Sequence, residues 1–208
     1  MFFFPTGTKA VILKEKHAHR SALRFIKEVP MNPLNQEELL KRIAAKIVDV
    51  PDFPETGILF KDITPLLADH DALHATIQWM ADALEDIDYV ISPEARGFIF
   101  GTAAACMSRK AGFIPLRKPG KLPRNVFSET YGLEYGTDEL QMHIDDLPKG
   151  AKVAFIDDVL ATGGTLKACE KLVASAGATL EKALFLIELD FLQGREGTGC
   201  AIQTLIHC

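Results

Sequence analysis

Asp157 and Asp158 stand side by side directly after four apolar residues, Val153 to Ile156, and three positions on comes the turn Ala161-Thr162-Gly163-Gly164-Thr165. Two adjacent carboxylates at the end of an interior run cost desolvation and mutual repulsion unless a cation or hydroxyl donors face them. A turn of glycines and hydroxyl residues that opens a helix offers successive backbone N–H groups, two side-chain donors and the positive end of the helix dipole. Together these suit a phosphate. The spacing is neither Gly-x-x-x-x-Gly-Lys nor Gly-x-Gly-x-x-Gly, which excludes a P-loop and a dinucleotide turn. Such a turn alone is usually only a turn. With the acids beside it, a ribose diol next to a phosphate answers both features, and a pyrophosphate could bring Mg²⁺.

Other residues are less telling by themselves. Arg96, between Ala95 and Gly97, stands where guanidinium and backbone could jointly grip a pyrophosphate, although a lone Arg is more often a surface charge. Arg117, Lys118, Lys121 and Arg124 gather four positive charges around Pro119 and Gly120, which by composition reads as a solvated basic loop. Phe60, in a short strand, is ordinarily core. His70 and His74 have the i, i+4 spacing of a helical metal pair, but Asp71 stands where a zincin has Glu and no third ligand is evident, so a solvated helix face is expected.

The elements that must hold these residues alternate. A helix is expected from Asn35, with Asn35 as cap, Glu38 three residues on, and Leu39, Leu40, Ile43, Ala44 and Ile47 as its apolar face. After the turn-rich Pro51 to Gly57 comes a short strand over 57–62, and Leu73, Ile77, Met80 and Leu84 recur at helical spacing. Strands are expected at 89–92, 113–117, 153–156 and 183–189, with helices over 97–110 and after Gly164, where Leu166, Cys169, Leu172 and Val173 share one stripe. Lys118 to Asp138, punctuated by Pro119, Gly120, Pro123, Gly132 and Gly136, breaks the rhythm and is expected to be a lid. The tail, 194–208, stays ambiguous. Alternating strands and helices make an open α/β fold, a mainly parallel sheet flanked by helices with right-handed crossovers. The acids and the glycine turn then lie at its carboxyl edge, where ligands bind.

A length of 208 residues with 48% hydrophobic content suits one well-buried domain. A net charge of -5 gives no broad basic surface for nucleic acid, and no apolar run is long enough to span a bilayer. Cys106, Cys169, Cys200 and Cys208 are scattered, without a Cys-x-x-Cys pair or a secretory signal, so a reducing cytoplasm is expected. Residues 1–30 differ from the rest: six Lys or Arg stand against two Glu, a net of +4, behind Phe2, Phe3 and Phe4. They are expected to be a poorly ordered or non-native basic extension before an internal start at Met31, with organelle targeting as the alternative.

The Val153 to Thr165 stretch resembles the phosphoribosyl pyrophosphate motif of type I phosphoribosyltransferases. The resemblance implies that Ala161, Thr162, Gly163, Gly164 and Thr165 hold the 5'-phosphate and that Asp157 and Asp158 hold the ribose hydroxyls. Val50 to Leu67, Pro93 to Gly101 and Arg117 to His143 are similar to the corresponding segments of the adenine phosphoribosyltransferases, and the likeness runs from about Met31 nearly to the C-terminus. It implies a domain over 31–208, with a small hood at about 31–65 and a flexible lid at about 118–138. Glu94, Ala95 and Arg96 would take the pyrophosphate with Arg117, Lys118 and Lys121, some of them reaching across a homodimer, while Arg124 has no assigned role. Phe60 would stack on adenine, Leu59 and Lys61 would flank it with the Lys61 backbone reading its edge, and Val159 would close the opposite face. Glu134 would shuttle the purine proton, with Arg96 beside the reacting centre and Tyr135 closing over the sugar phosphate. Mg²⁺ would be held mainly by substrate. A transferase for guanine, xanthine or orotate, or a regulator that senses phosphoribosyl pyrophosphate, would keep the phosphate motif. The Phe60 strand and the Glu134 lid speak against the first, and the lack of a clear helix-turn-helix against the second.

Overall fold

A computed structural model describes residues 36–132 and 137–208. Its centre is a five-stranded, wholly parallel sheet. The strands are β3 (Tyr89–Pro93), β4 (Gly112–Leu116), β7 (Lys152–Leu160), β8 (Thr179–Glu188) and β9 (Ala201–His207), in the order β4-β3-β7-β8-β9. β3 and β7 are buried over nearly their whole length, as continuous apolar runs require when both faces are covered. Successive residues of β7 serve two cores. Ala154 and Ile156 pack with Met80 of α3 (His70–Asp82) and with Phe100 and Ala104 of α4 (Arg96–Met107). Val153 and Phe155 pack with Leu166, Cys169 and Leu172 of α5 (Gly164–Ser175). Helices therefore cover both faces.

Two antiparallel hairpins stand off this sheet. β1 (Val48–Pro51) pairs with β2 (Leu59–Asp62), following α1 (Gln36–Ala44) and preceding the single turn α2 (Thr64–Leu67). β5 (Val126–Gly132) pairs with β6 (Thr137–His143), and the expected lid is thus half ribbon. The Pro and Gly punctuation masked the alternation of exposed and half-buried residues along β5. Asn35, the expected cap, residues 1–30, and Glu134 and Tyr135 lie outside the described residues.

Other boundaries moved for local reasons. β7 runs through both acids to Leu160, because Asp157 and Val159 keep their register with Phe185 and Ile187 of β8. α4 stops at Met107, short of Lys110, where Ser108 turns extended; its hydroxyl donates to the Ala105 carbonyl (2.7 Å) and accepts from the Ala111 N–H (3.0 Å). β8 begins at Thr179, ahead of its apolar stretch. The ambiguous tail ends as the edge strand β9, whose alternating exposure hides it from a search for buried runs.

Candidate active site

Gly163 caps α5 in the left-handed region, φ 77°, which a residue with Cβ would resist. Having no side chain, it leaves the first-turn N–H groups of α5 for a ligand. Thr162 and Thr165 are half-buried on either side of the glycines. The turn thus combines open donors with the positive end of a twelve-residue helix.

The acids precede it on β7. Asp158 is 3% exposed, and its Oδ2 lies 2.9 Å from Arg96 Nε. Asp157 Oδ1 accepts the Asp158 N–H at 2.9 Å. Burial, and then the neighbouring charge of Asp158, push the Asp157 carboxyl well above the usual carboxylate range. Burial also raises Asp158, with the Arg96 charge pulling the other way. Gly97, at the start of α4, lets this helix end approach β7: a Cβ there would stand 2.9 Å from Asp157 Oδ1 and 2.8 Å from Pro93 Cδ. The carboxylates are crowded and short of donors, which hydroxyl groups of a ligand would relieve.

Arg96 joins this acidic corner to an apolar one. Its guanidinium carbon lies 4.9 Å from the Phe60 ring centre, and Nη1 donates to the Lys61 carbonyl at 3.4 Å. Phe60 meets Phe53 edge to face at 5.2 Å. Val50, Phe53, Phe60, Ile63, Leu67 and Arg96 line a cavity of about 490 Å³, with Asp62 and Thr64 at its polar side. Asp62 accepts both the backbone N–H (2.9 Å) and the hydroxyl (2.6 Å) of Thr64, which hold its carboxyl below the ordinary range. A flat heterocycle fits between such walls and the open main chain of β2. A cavity of about 540 Å³ near Asp88, Lys110 and Lys149 lies at the other, amino edge of the sheet, away from the turn.

The cations gather on the far side of β3. Glu94 Oε1 accepts the Lys118 N–H at 2.5 Å, and Glu94 Oε2 lies 3.2 Å from Arg117 Nε. Burial opposes its ionisation, yet the Lys118 N–H and the Arg117 charge hold Glu94 below its ordinary range. The Glu94–Ala95 peptide is cis. Lys118 Nζ pairs with Asp138 of β6, which also accepts from the Tyr131 hydroxyl at 3.1 Å. The ribbon leans on the glycine turn: a Cβ on Gly164 would stand 3.0 Å from the Gly132 carbonyl oxygen. The cation loop, the ribbon and the turn are therefore mechanically joined.

Most of the expected site residues converge here, with differences in detail. Leu59 is 46% exposed, and the Lys61 ammonium pairs with Asp49 at 2.6 Å, leaving the β2 backbone rather than these side chains toward Arg96. Val159 is half-buried beside Asp158. Lys121 is exposed, and Arg124 pairs with Asp146 at 2.7 Å. His70 and His74 stack at 6.1 Å on an exposed helix face. Phe53 and Asp138 went unforeseen; Phe53 sits in a segment whose Pro and Gly content reads only as turn. Among the described residues, the His, Cys, Asp and Glu side chains approach a three-ligand cluster only at Glu188, Asp190 and His207, where Arg195 already forks onto Glu188.

The five-stranded parallel sheet with its helices, ribbon and carboxyl-edge turn is a type I phosphoribosyltransferase fold. No family model matches the chain. An adenine phosphoribosyltransferase of Thermosipho africanus is 57% identical over 152 residues, covering 72% of this chain and 89% of the relative. The crystal structure of the adenine phosphoribosyltransferase from Thermoanaerobacter pseudethanolicus superposes with a TM-score of 0.78 at 46% identity, covering 81% of this chain and 99% of that one. That of the Saccharomyces cerevisiae enzyme, complexed with an imino-altritol bisphosphate and adenine, gives 0.76 at 34% identity, covering 81% and 98%. The chain belongs to the adenine phosphoribosyltransferase family.

Proposed function

We propose that the protein transfers the 5-phosphoribosyl group of phosphoribosyl pyrophosphate to N9 of adenine, giving AMP and pyrophosphate in purine salvage. The observation that carries this reading is Arg96, which touches Asp158, the Phe60 face and the Lys61 carbonyl at once. It abuts a diol-binding corner on a base-sized cavity, as a bond between ribose C1' and a base nitrogen requires. The turn 161–165 takes the 5'-phosphate, and Asp157 and Asp158 take the 2'- and 3'-hydroxyls. The Glu94 to Arg96 loop, Arg117, Lys118 and Lys121 face the pyrophosphate.

The C1'–oxygen bond to pyrophosphate breaks while the C1'–N9 bond forms, through a ribosyl cation-like transition state. The cationic loop stabilises charge that grows on the departing pyrophosphate, and the walls around Phe60 exclude water that would hydrolyse the sugar. Glu134 accepts the proton that the purine must lose, and Tyr135 closes over the sugar phosphate. Asp158 is already paired with Arg96, and no described third ligand joins the two acids, so the residues fit Mg²⁺ held mainly by pyrophosphate oxygens and water. When bound, the ion supplies charge neutralisation for the leaving group.

A homodimer in the cytoplasm, with cations shared across its interface, belongs to this reading. No helix among the described residues is long and apolar enough to cross a membrane. Incubating the full chain with adenine, phosphoribosyl pyrophosphate and Mg²⁺ should form AMP and pyrophosphate one to one. Pyrophosphate released without AMP, or no product, would overturn the assignment.

A further inference from the structure

The phosphate turn rests on a segment that carries none of the expected site residues. After β8 the chain makes a short 3-10 turn, Asp190–Leu192, passes through Gln193 at φ 52°, and brings the buried Gly194 against Ala161 and Gly163. A Cβ on Gly194 would lie under 3.0 Å from the Ala161 carbonyl oxygen and 2.9 Å from the Leu160 side chain. Reciprocally, a Cβ on Gly163 would lie under 3.0 Å from the Gly194 carbonyl oxygen. Two bare backbones meet here, with no room for a methyl group on either.

Arg195 secures the contact. Its Nε lies 2.6 Å from Glu188 Oε1 and its Nη2 2.5 Å from Oε2, a two-pronged pairing whose direction is fixed by the planar guanidinium. Nη1 donates to the Ile202 carbonyl and Nη2 to the Thr204 hydroxyl, each at 3.0 Å. Glu188 stands opposite Leu160 in the β7–β8 register, and the Leu189 N–H donates to the Leu160 carbonyl at 3.0 Å. Gly194 is thereby held to the same strand ends from which the turn departs.

We propose that Gly194 is a positioning residue for the 5'-phosphate: its backbone, clamped through Arg195, is the rigid floor on which the turn 161–165 lies. The inference rests on the reading that this turn binds the 5'-phosphate. A cradle of backbone N–H groups works only while they converge on one anion, and a misplacement of about 1 Å in the positioning of a reacting substrate costs on the order of 10² in rate. A methyl group on Gly194 must push the Ala161 peptide aside, so it acts on the phosphate subsite while leaving the Phe60 cavity alone.

The test is Gly194→Ala in the full chain, read by steady-state KM for each substrate, AMP titration and thermal melting. A rise of about tenfold or more in KM for phosphoribosyl pyrophosphate and in Kd for AMP is expected, with KM for adenine within about twofold. Gly199→Ala, in the same segment, adds a Cβ that meets only the Glu170 carboxylate at 3.7 Å and should change neither. Arg195→Lys keeps the charge and loses the fork; a smaller rise in the same two constants is expected, and it decides the matter if Gly194→Ala does not fold. A folded Gly194→Ala with unchanged phosphate-side constants, or with both substrate KM values raised alike, overturns the proposal, as does a silent Arg195→Lys where the alanine variant is insoluble. Failure of the underlying reading looks different: the unmutated protein would then bind no AMP.

Discussion

Replacing Asp157 with Asn removes one of two adjacent carboxylates from a strand that is buried on both sides, and the ligand-free protein should become more stable for it. Burial and the Asp158 charge raise the Asp157 pKa above its unfolded value near 3.9. Between that value and the raised one, the folded state binds more protons than the unfolded state, so stability falls as pH rises through this window. The cost of ionising Asp157 in the folded protein builds up across this window, and below about pH 4 it disappears. Asn keeps the side-chain oxygen that accepts the Asp158 N–H at 2.9 Å, so little bonding is lost. The relief should be on the order of 1–3 kcal/mol, the scale of a buried polar group without full compensation, and each kcal/mol corresponds to roughly 2–4 °C in Tm for a chain of this size. Melting both proteins from pH 4 to pH 8 without ligand should give a gap that favours Asn at pH 8 and closes toward pH 4. The same variant should lose most of its use of phosphoribosyl pyrophosphate, because one side-chain oxygen already accepts the Asp158 N–H and the amide puts an NH2 donor where the second carboxylate oxygen would accept from ribose hydroxyls. An Asn variant less stable than the parent at pH 7, or a gap that widens on acidification, would refute the reasoning.

Other substitutions divide the site by substrate. Phe60→Leu keeps an apolar wall but loses the stacking face, and KM for adenine should rise roughly two- to thirteenfold, from about 0.5–1.5 kcal/mol of aromatic pairing; steady-state kinetics should show KM for phosphoribosyl pyrophosphate unchanged. Glu134→Gln should lower the rate of the chemical step by roughly 10²- to 10⁴-fold with binding retained. Single-turnover measurement isolates that step from product release, and an unchanged rate there would remove Glu134 from proton transfer.

How much of this could be read from residues alone depended on distance along the chain. The acids and the turn are contiguous, so their place at the carboxyl edge of a parallel sheet followed from an apolar run that ends in charge and glycine. Arg96 was visible as a cation near a strand end, but its junction role was not. Lys61 lies 35 positions away, and only the tertiary fold brings that carbonyl within reach. Glu94 meets the Lys118 N–H across 24 positions for the same kind of reason. β1 and β9 escaped because short or edge strands lack a continuous apolar signal. Gly194 left no trace at all, since a glycine needed for close approach looks in sequence like any glycine in a turn.

A cavity walled by Phe60 and read by the β2 main chain should select adenine for a sugar phosphate bound at β7 and its turn. The most direct measurement offers the protein equal concentrations of adenine, hypoxanthine and guanine with limiting phosphoribosyl pyrophosphate, and separates the nucleotides formed. Apolar walls alone discriminate weakly, whereas a hydrogen-bonded edge rejects a base of the wrong donor and acceptor pattern by about 10⁴ or more. AMP should therefore exceed IMP and GMP by at least about 10². IMP or GMP within about tenfold of AMP would mean that the Phe60 cavity does not read the base edge.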